Sequence, residues 1–173
     1  MLETPVNPRT AGFTLIELLV TLTVAAILLA VAVPSFHNMM LNSRLSTSAN
    51  AVANALSLAR SEAVKRNQQV NFSSAAAIEN ADGSATFATA PTLPQGIQRV
   101  SGEALVASPS GFLRQTAANA GYSGLVMDLY AADLPSGQHR CVYLVTGITP
   151  VVCSVDDTGT GKCPNAQPNP CQQ

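Results

Sequence analysis

The sequence predicts an α+β fold, in which one long N-terminal helix is followed by an antiparallel β-sheet domain. Three observations predict it. An unbroken apolar run spans Phe13–Val33, and helical periodicity then continues to about Asn67. From Gln68 onward, short apolar runs alternate with turn-rich pieces. Over 173 residues, 47% are hydrophobic and only 11% charged, against about 25% in ordinary soluble domains. That excludes a disordered polyelectrolyte. The formal net charge of −1 disfavours a strongly basic nucleic-acid binder. With no Trp and 5% aromatics, the core must be built mainly from Ala, Val, Leu and Ile.

Residues 1–12 are polar, hold two prolines and carry Glu3 and Arg9. The next element, 13–33, holds one formal charge, Glu17, in about 21 residues. As a helix it would be roughly 30 Å long, enough to cross the hydrocarbon core of a bilayer. A secretory signal peptide is one reading, with Arg9 as the charged flank and Ala30-Val31-Ala32 as a cleavage site. The run exceeds the usual length for that, however, and holds an acid. A plain membrane anchor explains the length but leaves a carboxylate in lipid unexplained.

After Pro34, the first helix-disturbing residue, the pattern over 34–67 becomes one-sided. Leu41, Leu45, Ala49, Val52, Leu56, Ala59 and Ala63 recur at spacings of four and three, which places them on one face. The stripe is small enough for a sheet to approach closely. Arg60, Lys65 and Arg66, with Glu62 beside the latter two, read as a solvated face with local ion pairing. Asn67 is the expected C-terminal stop.

The element 68–155 holds candidate strands at Gln69–Ser73, Ala85–Ala90, Gly96–Val100, Gly111–Arg114, Ser123–Tyr130, Arg140–Thr146 and Thr149–Val155. Turn-rich pieces such as Asn80–Gly83, Pro91–Gln95, Ser108–Gly111 and Leu134–Gly137 separate them. The last element, 156–173, is a Cys/Pro-rich tail.

The four cysteines, Cys141, Cys153, Cys163 and Cys171, all lie near the C-terminus and allow three pairings. A hairpin turning at Gly147 places Cys141 opposite Cys153, with Val142 facing Val152 and Tyr143 facing Val151. The expected bonds are therefore Cys141–Cys153 and Cys163–Cys171, the second closing a tail that cannot fold unaided. Zinc is the rival use, but no Cys-x-x-Cys pair occurs and an oxidising compartment favours disulfides.

Gly12-Phe13-Thr14-Leu15-Ile16-Glu17 resembles the cleavage and methylation motif of type IV prepilins and type II secretion pseudopilins. The resemblance implies a prepilin peptidase that cuts between Gly12 and Phe13 and N-methylates Phe13. It makes 1–12 a leader peptide, 13–33 a transmembrane and filament-core helix, and Glu17 the family's characteristic acid. Pro34 sits where these proteins carry a helix-kinking proline. The segment Ala59–Asn67 followed by Val70 resembles the spine-helix end of the GspH/FimT/FimU group of minor pilins and pseudopilins, and Ser108–Phe112 matches its sheet loosely. The fold implied is type IV pilin-like. The function implied is that of a minor pilin near the pilus tip, priming assembly with other minor pilins. A type II secretion pseudopilin is the alternative.

The partners implied are the prepilin peptidase, other minor pilins or the major pilin, and the inner membrane, with the C-terminal domain in the periplasm. DNA-binding members carry a glycine-arginine motif in the turn before the last strand. Here that turn is Gly147-Ile148-Thr149-Pro150. A DNA contact would rest on Arg60, Lys65 and Arg66 and on the scattered Arg99, Arg114 and Arg140. Filament packing would surround Glu17 with apolar side chains, and a buried carboxylate needs a cationic partner. The freed amine of Phe13, from the same or a neighbouring chain, is the candidate.

No catalytic constellation is legible. His37 follows the membrane segment, and His139 lies in a turn-like Ser-Gly-Gln-His-Arg; neither has a nucleophile or carboxylate at a recognisable spacing. Asp128 and Asp133 flank a strand end. Asp156-Asp157 offers too few oxygens for calcium. No phosphate loop or dinucleotide fingerprint occurs. A non-enzymatic protein without cofactor or metal is expected.

Overall fold

The structure is a computed structural model that describes residues 12–115, 120–134, 138–156, 162–169 and 171. The expected leader, apart from Gly12, and Asp157 therefore lie outside the described residues. The chain divides into two units, Met1–His37 and Asn38–Gln173.

Helix α1 runs from Leu15 to Arg66, a span of 52 residues that includes Pro34. Thr14 caps its start: the Thr14 hydroxyl oxygen accepts the Glu17 backbone N–H at 3.3 Å, and the Thr14 carbonyl accepts that of Leu18. A Thr followed three residues later by Glu is a capping-box sequence. The helix ends where the sequence places its stop. Asn67 takes a positive φ of 52°, Gln68 N–H bonds back to the Ala63 carbonyl and Asn67 N–H to that of Val64. This six-to-one and five-to-two pattern satisfies carbonyls the helix itself leaves open.

Among the described residues nine strands follow: β1 Val70–Phe72, β2 Ile78–Asn80, β3 Thr86–Ala88, β4 Ile97–Gly102, β5 Leu105–Ala107, β6 Leu113–Arg114, β7 Gly124–Ala131, β8 Gln138–Val145 and β9 Thr149–Asp156. They form two antiparallel sheets rather than one, ordered β3-β2-β1-β5-β6 and β4-β7-β8-β9. The sequence pattern omits β2 and β5. Ile78 follows an alanine run that carries no strand signal, and Leu105–Ala107 is buried throughout and so shows no alternation.

One core serves α1 and both sheets. Leu41, Leu45, Ala49, Val52, Leu56, Ala59 and Ala63 are all buried, against Phe72, Ile78, Leu105, Leu113, Met127, Leu129, Val142 and Leu144. A bulge between Leu125 and Met127 lets the consecutive Val126 and Met127 both enter it. The opposite face of the second sheet carries a separate cluster of Cys141, Tyr143, Cys153 and Cys163, with Leu125, Val151, Val155 and Cys171 around it.

The β8–β9 turn requires glycine at Gly147. Its φ is +73°, and a Cβ there would stand 2.7 Å from the Gly121 Cα. That close approach lets the Gly147 carbonyl accept the Leu113 N–H, which ties β6 of the first sheet to the turn of the second.

Candidate functional site

The N-terminal unit presents its side chains outward. Phe13 is 81% exposed, and so are the large apolar side chains at Leu15, Ile16, Leu22, Ile27, Leu28, Val31 and Val33, each above half. By length and composition, this helix is apolar enough to cross a membrane. The hydroxyls of Thr21 and Thr23 bond back to the Leu18 and Val20 carbonyls, so neither carries an unmet donor into an apolar medium. Gly12 and Phe13 precede the first helical turn, which leaves the peptide bond between them in non-helical chain. Glu17 lies in the first turn, where a negative charge opposes the positive end of the helix dipole. Among the described residues, no cation pairs with it.

The cysteines join differently from the sequence expectation. Cys141 and Cys153 do face each other across β8 and β9, beside the pairs Val142/Val152 and Tyr143/Val151. Yet the bonds are Cys141–Cys163 and Cys153–Cys171, so both strand cysteines hold the tail. The physical reason lies on the sheet face. Cys141, Tyr143 and Cys153 point away from α1, and without a cover this apolar patch would meet water. The tail supplies that cover through polar ties as well. Tyr143 Oη donates to the Pro164 carbonyl at 2.7 Å, and Leu125 N–H to the Asn165 carbonyl at 3.3 Å.

His139 is also corrected. It is not in a turn but in β8, only 2% exposed, and its Nδ1 lies 2.6 Å from Asp128 Oδ1 on β7. The other carboxylate oxygen, Oδ2, accepts the Cys163 backbone N–H at 2.9 Å. The Tyr130 ring packs on the imidazole at 4.7 Å between centroids. Among the described residues, His139 Nε2 has no hydrogen-bond partner. Asp128, His139 and Cys163 bring potential metal ligands within 4.8 Å of one another. The sulfur of Cys163, however, is bonded to Cys141, and both Asp128 oxygens are engaged. The arrangement is a buried tie between sheet and tail. Sequence spacing could not reveal it, because the partners meet only through strand register.

Tyr143 reports on this buried face. Burial, and secondarily the Asp128 charge, push its phenol up to about 12 from an ordinary 10. The unfolded chain therefore loses this proton first as pH rises. The contribution to stability is constant below about pH 10 and falls between about 10 and about 12. In a spectroscopic titration, one tyrosine is expected to ionise only near the upper end of that window, and Tyr143→Phe should remove that late transition.

The cations on α1 are largely occupied. Arg60 is not on a solvated face: its Nε donates to the Gly111 carbonyl at 2.7 Å and its Nη1 to the Ile148 carbonyl at 2.8 Å. One guanidinium thus joins the helix to the 108–112 turn and to the β8–β9 turn. Arg66 bonds Glu62 at 2.7 Å and stacks over Phe87 at 4.0 Å, while Lys65 lies 3.9 Å from Glu62. The Arg66 hydrogen bond holds the Glu62 carboxyl below its ordinary value. Arg140 donates to Asn42 and Ser46 on the helix and to Ser154 on β9.

Arg60→Ala is expected to cost about 2–4 kcal/mol, since it removes two charge-assisted bonds. Arg60→Lys should recover little, because an ammonium cannot reproduce the fork. Urea unfolding of the Asn38–Gln173 unit, which holds the whole main core, measures both.

A family model described as type II transport protein GspH matches residues 48–160. A model described as the prokaryotic N-terminal methylation motif matches residues 7–33. No curated protein and no solved structure matches the chain.

Proposed function

The chain belongs to the GspH family of type II transport proteins, the pilin and pseudopilin class, and we propose that it serves as a tip-proximal minor pilin. In this reading it primes assembly of a type IV pilus with other minor pilins. One observation carries the proposal: a helix whose first half is uncovered and apolar continues into a half whose apolar stripe is buried under sheet. Such a helix has two successive environments for its first half, lipid before assembly and the packed helices of a fibre afterwards.

The proposed path begins with insertion in the inner membrane, the domain after Val33 lying in the periplasm. Prepilin peptidase then cuts between Gly12 and Phe13 and N-methylates Phe13. The new amine pairs with Glu17, its own or a neighbour's, as the helix enters the fibre. The protein does no chemistry of its own and acts as substrate and building block. A second reading, a minor pseudopilin of a type II secretion system, is favoured by the description of the matching family model. DNA uptake has less support, since Arg60, Arg66 and Arg140 are held by the protein itself. Deletion of the gene followed by fibre counts and secretion assays tests the assignment. Loss of pili with normal secretion is expected; the reverse would select the pseudopilin reading.

A further inference from the structure

The two disulfides are interleaved along the chain, and the hairpin beneath them is built to favour a different pair. Cys141 and Cys153 are directly opposite in register, both fully buried, on the same face of the sheet. Opposed residues on antiparallel strands have Cα atoms about 4.5–5.5 Å apart, within the range of about 4.4–6.8 Å that a disulfide accepts. The native bonds span 22 and 18 residues. The Cys141-to-Cys153 loop is shorter than either, and loop closure favours it. It is also complete before Cys163 and Cys171 emerge. Oxidation of the hairpin therefore reaches the neighbour pair first and leaves Cys163 and Cys171 to each other.

That isomer has no covalent tie between tail and sheet. The native set makes such a tie twice and brings the Cys163 N–H to Asp128, the Tyr143 hydroxyl to Pro164 and the Leu125 N–H to Asn165. The polar ties make the native pairing the stable end point, while register makes the other pairing the quick one.

We propose that the chain passes through the isomer bonded Cys141–Cys153 and Cys163–Cys171, and that it is a client of a thiol–disulfide isomerase. The partner is a dithiol enzyme on the oxidising side of the membrane. This rests on the periplasmic placement proposed above. The isomerase thiolate attacks Cys153 Sγ, forms a mixed disulfide and releases the Cys141 thiolate. The Cys141 thiolate attacks Cys163 Sγ, forms Cys141–Cys163 and releases the Cys171 thiolate. The Cys171 thiolate then attacks Cys153 Sγ, forms Cys153–Cys171 and returns the isomerase thiolate. Two disulfides enter and two leave, so no oxidant is consumed.

The test expresses the full chain in cells with and without their periplasmic disulfide isomerase. Free thiols are trapped by acid quench and alkylation, and the denatured chain is digested with trypsin without reduction. Cleavage after Arg140 and Lys162 puts Cys141 and Cys153 in one peptide and Cys163 and Cys171 in the next. Native chain then yields the two peptides joined, and the proposed isomer yields them separate. Without the isomerase, the joined species is expected to fall at least fivefold and the separate, thiol-free peptides to predominate. Equal yields of the joined species in both strains would overturn the proposal. A chain with all four thiols free would overturn the placement as well. In the Cys163→Ser/Cys171→Ser double variant, Cys141 and Cys153 should bond to each other. Two free thiols in that variant would also contradict the proposal.

Discussion

Glu17→Ala is expected to leave membrane insertion intact and to reduce recovery of the subunit in sheared fibres at least tenfold. Insertion depends on the apolar run, and removing a charge from it only lowers the cost of entering lipid. Incorporation depends on the proposed pairing of the Glu17 carboxylate with the amine of Phe13. Breaking a buried ion pair from one side costs about 3–5 kcal/mol, because the other charge is left uncompensated. Thr14 and Glu17 also have the spacing of a capping box, in which the glutamate side chain would have a local role at the helix start, and the Thr14 hydroxyl accepts the Glu17 backbone N–H. Glu17→Gln separates the two. Glutamine serves at that capping position but carries no charge. A Glu17→Gln chain excluded from fibres supports the ion pair, and one incorporated at the normal level would assign Glu17 to capping alone.

Asp128→Ala is expected to destabilise the folded domain by about 2–5 kcal/mol, because it leaves two buried polar groups without their hydrogen-bond partner. The carboxylate answers both the His139 ring and the Cys163 N–H, with His139 2% exposed. Its loss leaves two buried polar groups without their partner and a void beside the disulfide. Asp128→Asn retains an acceptor and the shape, and should lose less. The midpoint of urea unfolding measures the loss, with the disulfides intact. A loss below about 1 kcal/mol for Asp128→Ala would mean that the Asp128 carboxylate adds little to the hold on the tail.

The fold class was legible because its signals are local and long. The stripe from Leu41 to Ala63 repeats over six helical intervals, and every member is buried. The stop at Asn67 is chemical, a residue that tolerates positive φ. The β8–β9 register follows from symmetry about Gly147 and agrees with the structure. The site was legible only in part. Gly12, Phe13 and Glu17 stand in one contiguous motif, so they can be read without a fold. The disulfide pairing could not be read from the hairpin, since it depends on which sheet face the tail covers. Asp128 and His139 meet through β7–β8 pairing, and Arg60 reaches carbonyls 51 and 88 residues away. A solvated-face reading of Arg60 fails because helical spacing says which residues share a face but not what packs beside it.

The central claim is that this chain is processed and assembled as a pilin-class subunit, and the mass of the mature N-terminus tests it most directly. Intact-protein and peptide mass spectrometry of chain recovered from the membrane is predicted to show a first residue of N-methylated Phe13, with the leader removed after Gly12. A mature chain that begins at Val33 would contradict the account, because signal peptidase would then have removed the helix on which assembly depends.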